Sequence, residues 1–342
     1  MTVRLKLLIA ALLAGGVLAA ALLAPASSRR YCATRAFMGT EVSITVISSR
    51  DPGPAMDAAF KAIEAAEGRL SRFKPDSDVS RINRLGIGRS MDISRETFRI
   101  IEKSIATSRI SDGAFDVTVL PLIKLYPYGK EGKLALPERG AIDEAKKRIG
   151  SDKIVLTALD DKKLEIGFKV DGMEVDLGGI AKGYAVDTAI AALRHGGITS
   201  GIVEAGGDLY CMGRRPDGSK WTVAVRNPRG PGGVATLCLA NLAVATSGDY
   251  ERFFVVDGRR YSHIIDPRTG MPVARGVASA SVVASDCETA DALATAVSVL
   301  GAEKGMELIE RLPGVECMML VEDAGGGLTE VRSSGWEGAV GP

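Results

Sequence analysis

Asp291 and Thr295 stand four residues apart in DCETADALATAVSVLG (Asp286–Gly301), a segment whose apolar spacing predicts a helix, so both side chains point to one face. A carboxylate with a hydroxyl one turn on, joined by a backbone carbonyl from elsewhere, is an all-oxygen set suited to a hard cation such as Mg²⁺. The same spacing also fits a solvated aspartate beside a threonine bonded back to its own helix. The chain has two histidines. His195 precedes Gly196 and Gly197 at the end of a predicted helix, where capping and the helix dipole account for it. His263 lies in YSHIID (Tyr261–Asp266), on a strand entering a turn and three residues before an aspartate. An imidazole there could take a proton from an incoming hydroxyl, or sit satisfied in the core. Asp116 falls between Phe115 and Val117 in the apolar run GAFDVTVLPLIKLY (Gly113–Tyr126); such a carboxylate must be hydrogen-bonded or serve a ligand.

A second stretch suits an anion. VDLGGIAKGYAVDTAIAALRHGG (Val175–Gly197) reads as a short strand (Met173–Leu177), a glycine turn and an amphipathic helix. Gly178 and Gly179 permit close backbone approach, the new helix offers unpaired N–H groups, and Lys182 adds a positive charge in its first turn. A diphosphate would fit, as would an ordinary strand–turn–helix whose glycines only make the turn. The segment is neither GxGxxG nor GxxxxGK[ST], since Tyr184 follows Gly183, so the dinucleotide-fold and P-loop readings fail. The absence of a GxSxG or of a cysteine–histidine pairing argues against acyl transfer. Five scattered cysteines without a CxxC or paired histidines argue against a zinc site.

The elements that position these residues alternate irregularly. FMGTEVSITV (Phe37–Val46) predicts a strand after a linker to about Ala33, and Pro54 opens a helix through Leu70. LSRFKPDSDVSRIN (Leu70–Asn83) reads as a polar loop with Phe73 set among charged residues, either exposed or tucked into the core. Ser94 with Thr97 starts a further helix, and Pro137 a short one ending at Gly150. Strands are expected at 153–157, 163–167, 200–205, 221–226, 234–239, 243–246, 277–284 and 315–321, with a hairpin around Asp257-Gly258. Consecutive strands late in the chain predict an α+β fold with largely antiparallel sheets flanked by helices.

With 342 residues, 46% of them hydrophobic, and a formal charge of +1, the chain can bury a large core and shows no basic footprint for nucleic acid. Arg4 and Lys6 precede an apolar run, Leu7 to Ala24, and then Ala24-Pro25-Ala26. That pattern predicts a secretory signal peptide or an N-terminal membrane anchor, and hence an exported, periplasmic protein, with or without attachment to the inner membrane. The expected division is residues 1–32 as this segment plus linker, 33–332 as one domain, and 333–342 as a loose tail.

Together the segments FMGTEVSITV, LSRFKPDSDVSRIN, GAFDVTVLPL, VDLGGIAKGYAVD, EAGGD, ATSGDYERFF, YSHIIDPRTGMPV and ETADALATA resemble the ApbE family of flavin transferases, in the family's order from about Phe37 to Gly301. The resemblance implies a T-fold-related domain and Mg²⁺-dependent transfer of FMN from FAD to a threonine hydroxyl of an acceptor flavoprotein, with release of AMP. It implies that Met38 and Phe73 line the flavin pocket and that Ala114, Phe115 and Asp116 hold FAD. Asp176, Lys182 and Ile265 would contact the cofactor as well. The metal would be held by the Gly179 carbonyl, Asp291 and Thr295, with His263 as the base. Many relatives carry tyrosine where Phe73 stands, so stacking remains without a hydroxyl contact, and Lys182 varies to glutamate. Acceptors would be separate proteins: membrane redox-complex subunits or FMN-binding domains. The same site could serve an FAD pyrophosphatase, with water in place of threonine, and an exported FAD-binding protein without turnover is the non-enzymatic alternative.

Overall fold

A computed structural model describes residues 28–128, 135–160, 163–251, 253–257, 259–273, 276–323 and 325–341. The apolar N-terminal run and Gly258 of the predicted hairpin turn lie outside the described residues. Among those described, no helix is long and apolar enough to cross a membrane.

The chain enters through an antiparallel hairpin, β1 (Arg29–Phe37) and β2 (Thr40–Ser48). Its two-residue turn holds Met38 and Gly39 at φ +53° and +74°, the mirror-image conformation that matches the twist of the flanking strands. The supposed linker therefore ends earlier than its sequence suggests, because Arg29–Cys32 already pair with β2. There follow α1 (Gly53–Leu70), α2 (Asp78–Ile82), β3 (Ser90–Asp92), α3 (Arg95–Ile110), α4 (Leu120–Ile123), α5 (Arg139–Lys146), β4 (Ile154–Ala158), β5 (Leu164–Phe168) and α6 (Ala181–His195). The second half carries β6 (Gly201–Ala205), β7 (Asp208–Met212), β8 (Trp221–Arg226), β9 (Gly233–Leu239), β10 (Leu242–Gly248), β11 (Phe253–Val256), β12 (Arg259–Ser262) and β13 (Val277–Ala284). It closes with α7 (Cys287–Leu300), α8 (Ala302–Glu310), β14 (Glu316–Glu322), β15 (Leu328–Arg332) and α9 (Trp336–Val340).

Eight strands form one sheet in the order β1-β2-β6-β7-β10-β13-β14-β15, and each neighbouring pair is antiparallel. This is the predicted α+β arrangement. Helices α1, α6, α7 and α8 cover one face, where Val42, Ile44 and Val46 of β2 join Ala189 and Leu193 of α6 and Leu293 and Val297 of α7. The β8–β9 hairpin and α9 cover the other, burying Trp221, Leu237 and Trp336 against Val244, Val283 and Met318. With both faces covered, β13 is buried along its whole length, which explains its run of small and β-branched residues without polar alternation. A third cluster joins α4 and α5 to the β11–β12 hairpin through Leu122, Tyr126, Ile142, Phe254 and Ile265.

Further local expectations fail. Met173–Leu177 forms no strand and joins no sheet. The Asn83 side chain brackets Val175 instead, its amide donating to the carbonyl at 2.8 Å and its oxygen accepting the N–H at 2.7 Å. The Asp176 N–H then donates to the Val117 carbonyl at 2.7 Å, so the segment's polar groups are satisfied without a neighbouring strand. Of the expected loose tail 333–342, the described residues 333–341 are not loose either. They carry α9, and Trp336 is 2% exposed beneath the outer layer.

Candidate active site

The close crossing of α6 and α7 assembles the centre. A Cβ on Gly183 would lie 2.3 Å from the Cys287 carbonyl oxygen and 2.8 Å from the Glu288 Cα, so the approach requires glycine. It brings Asp291 to the start of α6, where Oδ2 accepts the Gly183 N–H at 3.0 Å. A buried carboxylate from the neighbouring helix thus caps α6 at the positive end of its dipole, where the sequence alone leaves the N–H groups unpaired. Asp187 returns the favour along the same interface, accepting the Cys287 and Glu288 N–H groups at 2.9 Å each; burial raises its carboxyl to about 6.

Lys182 lies between two acids. Its Nζ is 3.4 Å from Asp291 Oδ1 and forms a tighter ion pair with Asp208, which opens β7 and is buried. Burial works against the ammonium, but Asp208 and Asp291 outweigh it and lift the Lys182 pKa above its ordinary value. Asp208 stands well above the usual carboxylate range, through burial first and then the charge of Asp291, against the pull of Lys182.

One turn beyond Asp291, the Thr295 Oγ1 lies 3.4 Å from the Ser247 Oγ of β10. A Cβ on Gly179 would sit 3.1 Å from Thr295 Oγ1 and 3.3 Å from Phe115 Cε2. Phe115, Gly179 and Thr295, distant in sequence, therefore meet, and Lys182 and Asp291 adjoin them. A carboxylate, two hydroxyls and the open backbone of a glycine offer oxygen donors to a hard cation. No local pattern in the sequence singles out Asp208 or Ser247. Their segments, EAGGD and ATSGD, were visible, but the pairing of Asp208 with a lysine 26 residues upstream was not.

On the far side of the glycine turn, Asp176 Oδ1 accepts the Gly178 N–H at 2.8 Å and Oδ2 pairs with Arg72 Nε at 2.7 Å. The Arg72 guanidinium lies 4.2 Å from the centroid of the Phe73 ring, and Phe73 is 74% exposed, so it does not tuck into the core. Met38 donates its N–H to Glu67 Oε1 at 2.9 Å, and Glu67 Oε2 holds Lys74 Nζ at 2.9 Å. The hairpin turn is thereby tied to α1 and to the loop that bears Phe73.

Ala114, Phe115 and Asp116 are buried. Asp116 Oδ1 accepts the Thr118 N–H at 2.8 Å and its hydroxyl at 2.6 Å, while Oδ2 accepts the Ser151 N–H at 2.9 Å and the Ser108 hydroxyl at 3.5 Å. Protein groups thus meet the demand that the sequence posed, and the carboxylate braces the loop carrying Ala114 and Phe115. Asp116 also lines a cavity of about 410 Å³ with Arg109, Lys146 and Arg268. Arg268, bound to both Asp266 oxygens at 2.9 and 3.0 Å, packs beside Gly113, so the turn after His263 reaches this loop. Ile265 is buried against the third cluster, which leaves its backbone as the part able to meet a ligand. His263 is half-buried one residue past β12, whose Ser262 carbonyl accepts the Tyr128 hydroxyl at 2.7 Å. His195 is exposed at the end of α6, as expected of a capping residue.

Comparison with known proteins gives the family. The profile of the ApbE family matches residues 38–319. The FAD:protein FMN transferase of Vibrio cholerae is 33% identical over 283 residues, covering 80% of this chain and 82% of that protein. The FAD:protein FMN transferase of Haemophilus influenzae is 32% identical over 285 residues, 80% and 82% of the two chains. Among solved structures, the ApbE protein of Thermotoga maritima superposes with a TM-score of 0.82 at 35% identity, covering 92% of this chain and all of that one. The flavin transferase ApbE of Vibrio cholerae gives 0.80 at 29% identity, with 92% and 100% coverage. The profile match spans most of the sequence and the likeness extends through the whole fold: the chain belongs to the ApbE family.

Proposed function

We propose that this protein is an FAD:protein FMN transferase that moves FMN from FAD onto a threonine hydroxyl of an acceptor flavoprotein and releases AMP, in a Mg²⁺-dependent reaction. The observation that carries the reading is the meeting of Asp291, Thr295 and Gly179 at the capped start of α6, beside the Lys182–Asp208 pair. Asp291, Thr295 and the Gly179 carbonyl would hold the metal. When bound, Mg²⁺ would offset charge on the diphosphate oxygens. The chain's own residues bind and orient. Phe73 offers a planar ring face, Met38 and the Ala114–Asp116 loop bound the pocket, and Asp176, Lys182 and the backbone of Ile265 contact the cofactor. The His263 imidazole accepts the proton of the threonine hydroxyl as its oxygen bonds to the FMN phosphorus and the bond to the AMP phosphate breaks. The N-terminal apolar segment supports export to the periplasm, with acceptors among membrane redox-complex subunits or FMN-binding domains.

The test is incubation with FAD, Mg²⁺ and an acceptor domain, followed by denaturation and measurement of protein-bound flavin fluorescence. Flavin should stay with the acceptor only when FAD and Mg²⁺ are both present. His263→Ala should still bind FAD but lose transfer by roughly 10²–10⁴-fold, the usual worth of a general base. Transfer at the wild-type rate in that variant would remove the imidazole from the mechanism, and free FMN without acceptor labelling would point to hydrolysis instead.

A further inference from the structure

Phe73 is exposed, yet its ring is not left to itself. Arg72 stands over it with the guanidinium carbon 4.2 Å from the ring centroid, within cation–π range. The guanidinium is in turn fixed by its Nε on Asp176 Oδ2 at 2.7 Å. Asp176 is itself held at both ends: its N–H donates to the Val117 carbonyl and its Oδ1 accepts the Gly178 N–H. The Arg72 carbonyl accepts the Ser80 hydroxyl at 3.1 Å, so the backbone beneath the guanidinium is held as well. These contacts join the glycine turn at the head of α6 to the loop after α1 through one side chain. The remaining guanidinium N–H groups of Arg72 have no hydrogen-bond partner among the described residues.

We propose that Arg72 is a positioning residue for FAD binding, a strut from Asp176 that holds the Phe73 ring as a preformed platform for a planar ring of the cofactor. An exposed phenylalanine on an unbraced loop would lose side-chain freedom on stacking, and that loss weakens binding. The guanidinium removes most of it in advance by occupying one face of the ring and leaving the other open. A planar fork suits this double duty; a lysine ammonium cannot pair with a carboxylate and lie flat on a ring in the same way. The inference rests on the FAD-transfer reading given above.

FAD titrations, followed by flavin fluorescence, on wild type, Arg72→Ala, Phe73→Ala and the double variant test the strut, together with kcat and KM for FAD in acceptor labelling. Arg72→Met, which keeps the aliphatic packing, guards against a folding defect in the alanine variant. Arg72→Ala and Arg72→Met should each raise Kd and KM for FAD about fivefold, with kcat at saturating FAD within about twofold of wild type. The double variant should bind no more weakly than Phe73→Ala alone. A loss in kcat and thermal stability with unchanged KM would mark a structural role and overturn the proposal. So would an Arg72 effect of equal size in the Phe73→Ala background, which would mean that the guanidinium meets FAD directly. Wild type that binds FAD while both Arg72 variants bind equally well removes the strut alone, whereas wild type that fails to bind FAD removes the transfer reading and the strut with it.

Discussion

Lys182 sets one positive charge against two carboxylates, Asp208 and Asp291, in a buried place. Asp208 already sits above the ordinary carboxylate range, with Lys182 acting to lower it. Replacing the lysine by methionine removes that pull, so the folded-state pKa of Asp208 should rise further. The sign follows from the direction. A carboxyl raised in the folded state contributes stability while both states hold the proton, below about pH 4, and loses it as pH climbs through the folded value. Lys182→Met should therefore melt near wild type at pH 5 and fall progressively behind toward pH 8, where the deficit should be on the order of 3 kcal/mol. Added Mg²⁺ should restore more stability to the variant than to wild type at pH 8, because it would supply the missing positive charge and bind only the folded state. A melting deficit that is flat from pH 5 to pH 8 would contradict this account. At this scale the sequence was informative about Asp291 and Thr295, which share a helix face by spacing alone. It was silent about Asp208, whose significance lies in a contact between the head of α6 and the head of β7.

The interface between α6 and α7 makes two glycines of one motif behave differently. At Gly183 every close neighbour is backbone of α7, with the Cys287 carbonyl carbon 2.6 Å from the added methyl, so neither side can rotate away. Gly183→Ala must spread the helices and should cost about 3 kcal/mol or more, read as a lower melting temperature, and should pull Asp291 from the Gly183 N–H. At Gly179 the neighbours are the side chains of Thr295 and Phe115 at 3.1 and 3.3 Å, which can give slightly. Gly179→Ala should stay within about 1 kcal/mol of wild type in stability, yet shift the midpoint of Mg²⁺-dependent transfer to higher Mg²⁺ by displacing the Thr295 hydroxyl. Equal melting losses in the two variants would mean that the turn, and not the helix crossing, sets the packing. The helix itself was legible from its 3.6-residue period and its closing His-Gly-Gly. The strand expected before it was not there, since Val175 finds its partners on one asparagine side chain 92 residues earlier. No local pattern reports a partner of that kind. The polar loop Leu70–Asn83 hid a helical turn for a related reason. Five residues are too few for periodicity, and only the Ser77 side chain accepting the Ser80 N–H marks where α2 starts.

Across the whole molecule, the sheet separates the candidate site from a second apolar layer. The candidate site occupies the helical face, built from α6 and α7 with Ser247 of β10, whereas the β8–β9 hairpin and α9 close the opposite face over a separate apolar cluster. A glycine-rich C-terminus reads as loose because WEGAV is too short to show a helical pattern, and the surface that buries Trp336 comes from β8, β9 and β14, remote in sequence. Trp336→Ala should empty a large volume from that cluster and cost about 3–5 kcal/mol. At roughly 2–3 °C per kcal/mol for a domain of this size, the melting temperature should drop by about 6–15 °C. FAD affinity and the Mg²⁺ dependence of transfer, measured well below the transition, should not change, because Trp336 packs in the cluster on the opposite face of the sheet from α6 and α7. If affinity falls together with melting temperature, the two faces move as one cooperative unit and the sheet transmits the loss; if only the melt shifts, the outer layer acts as a clamp whose strength can be altered without touching the chemistry.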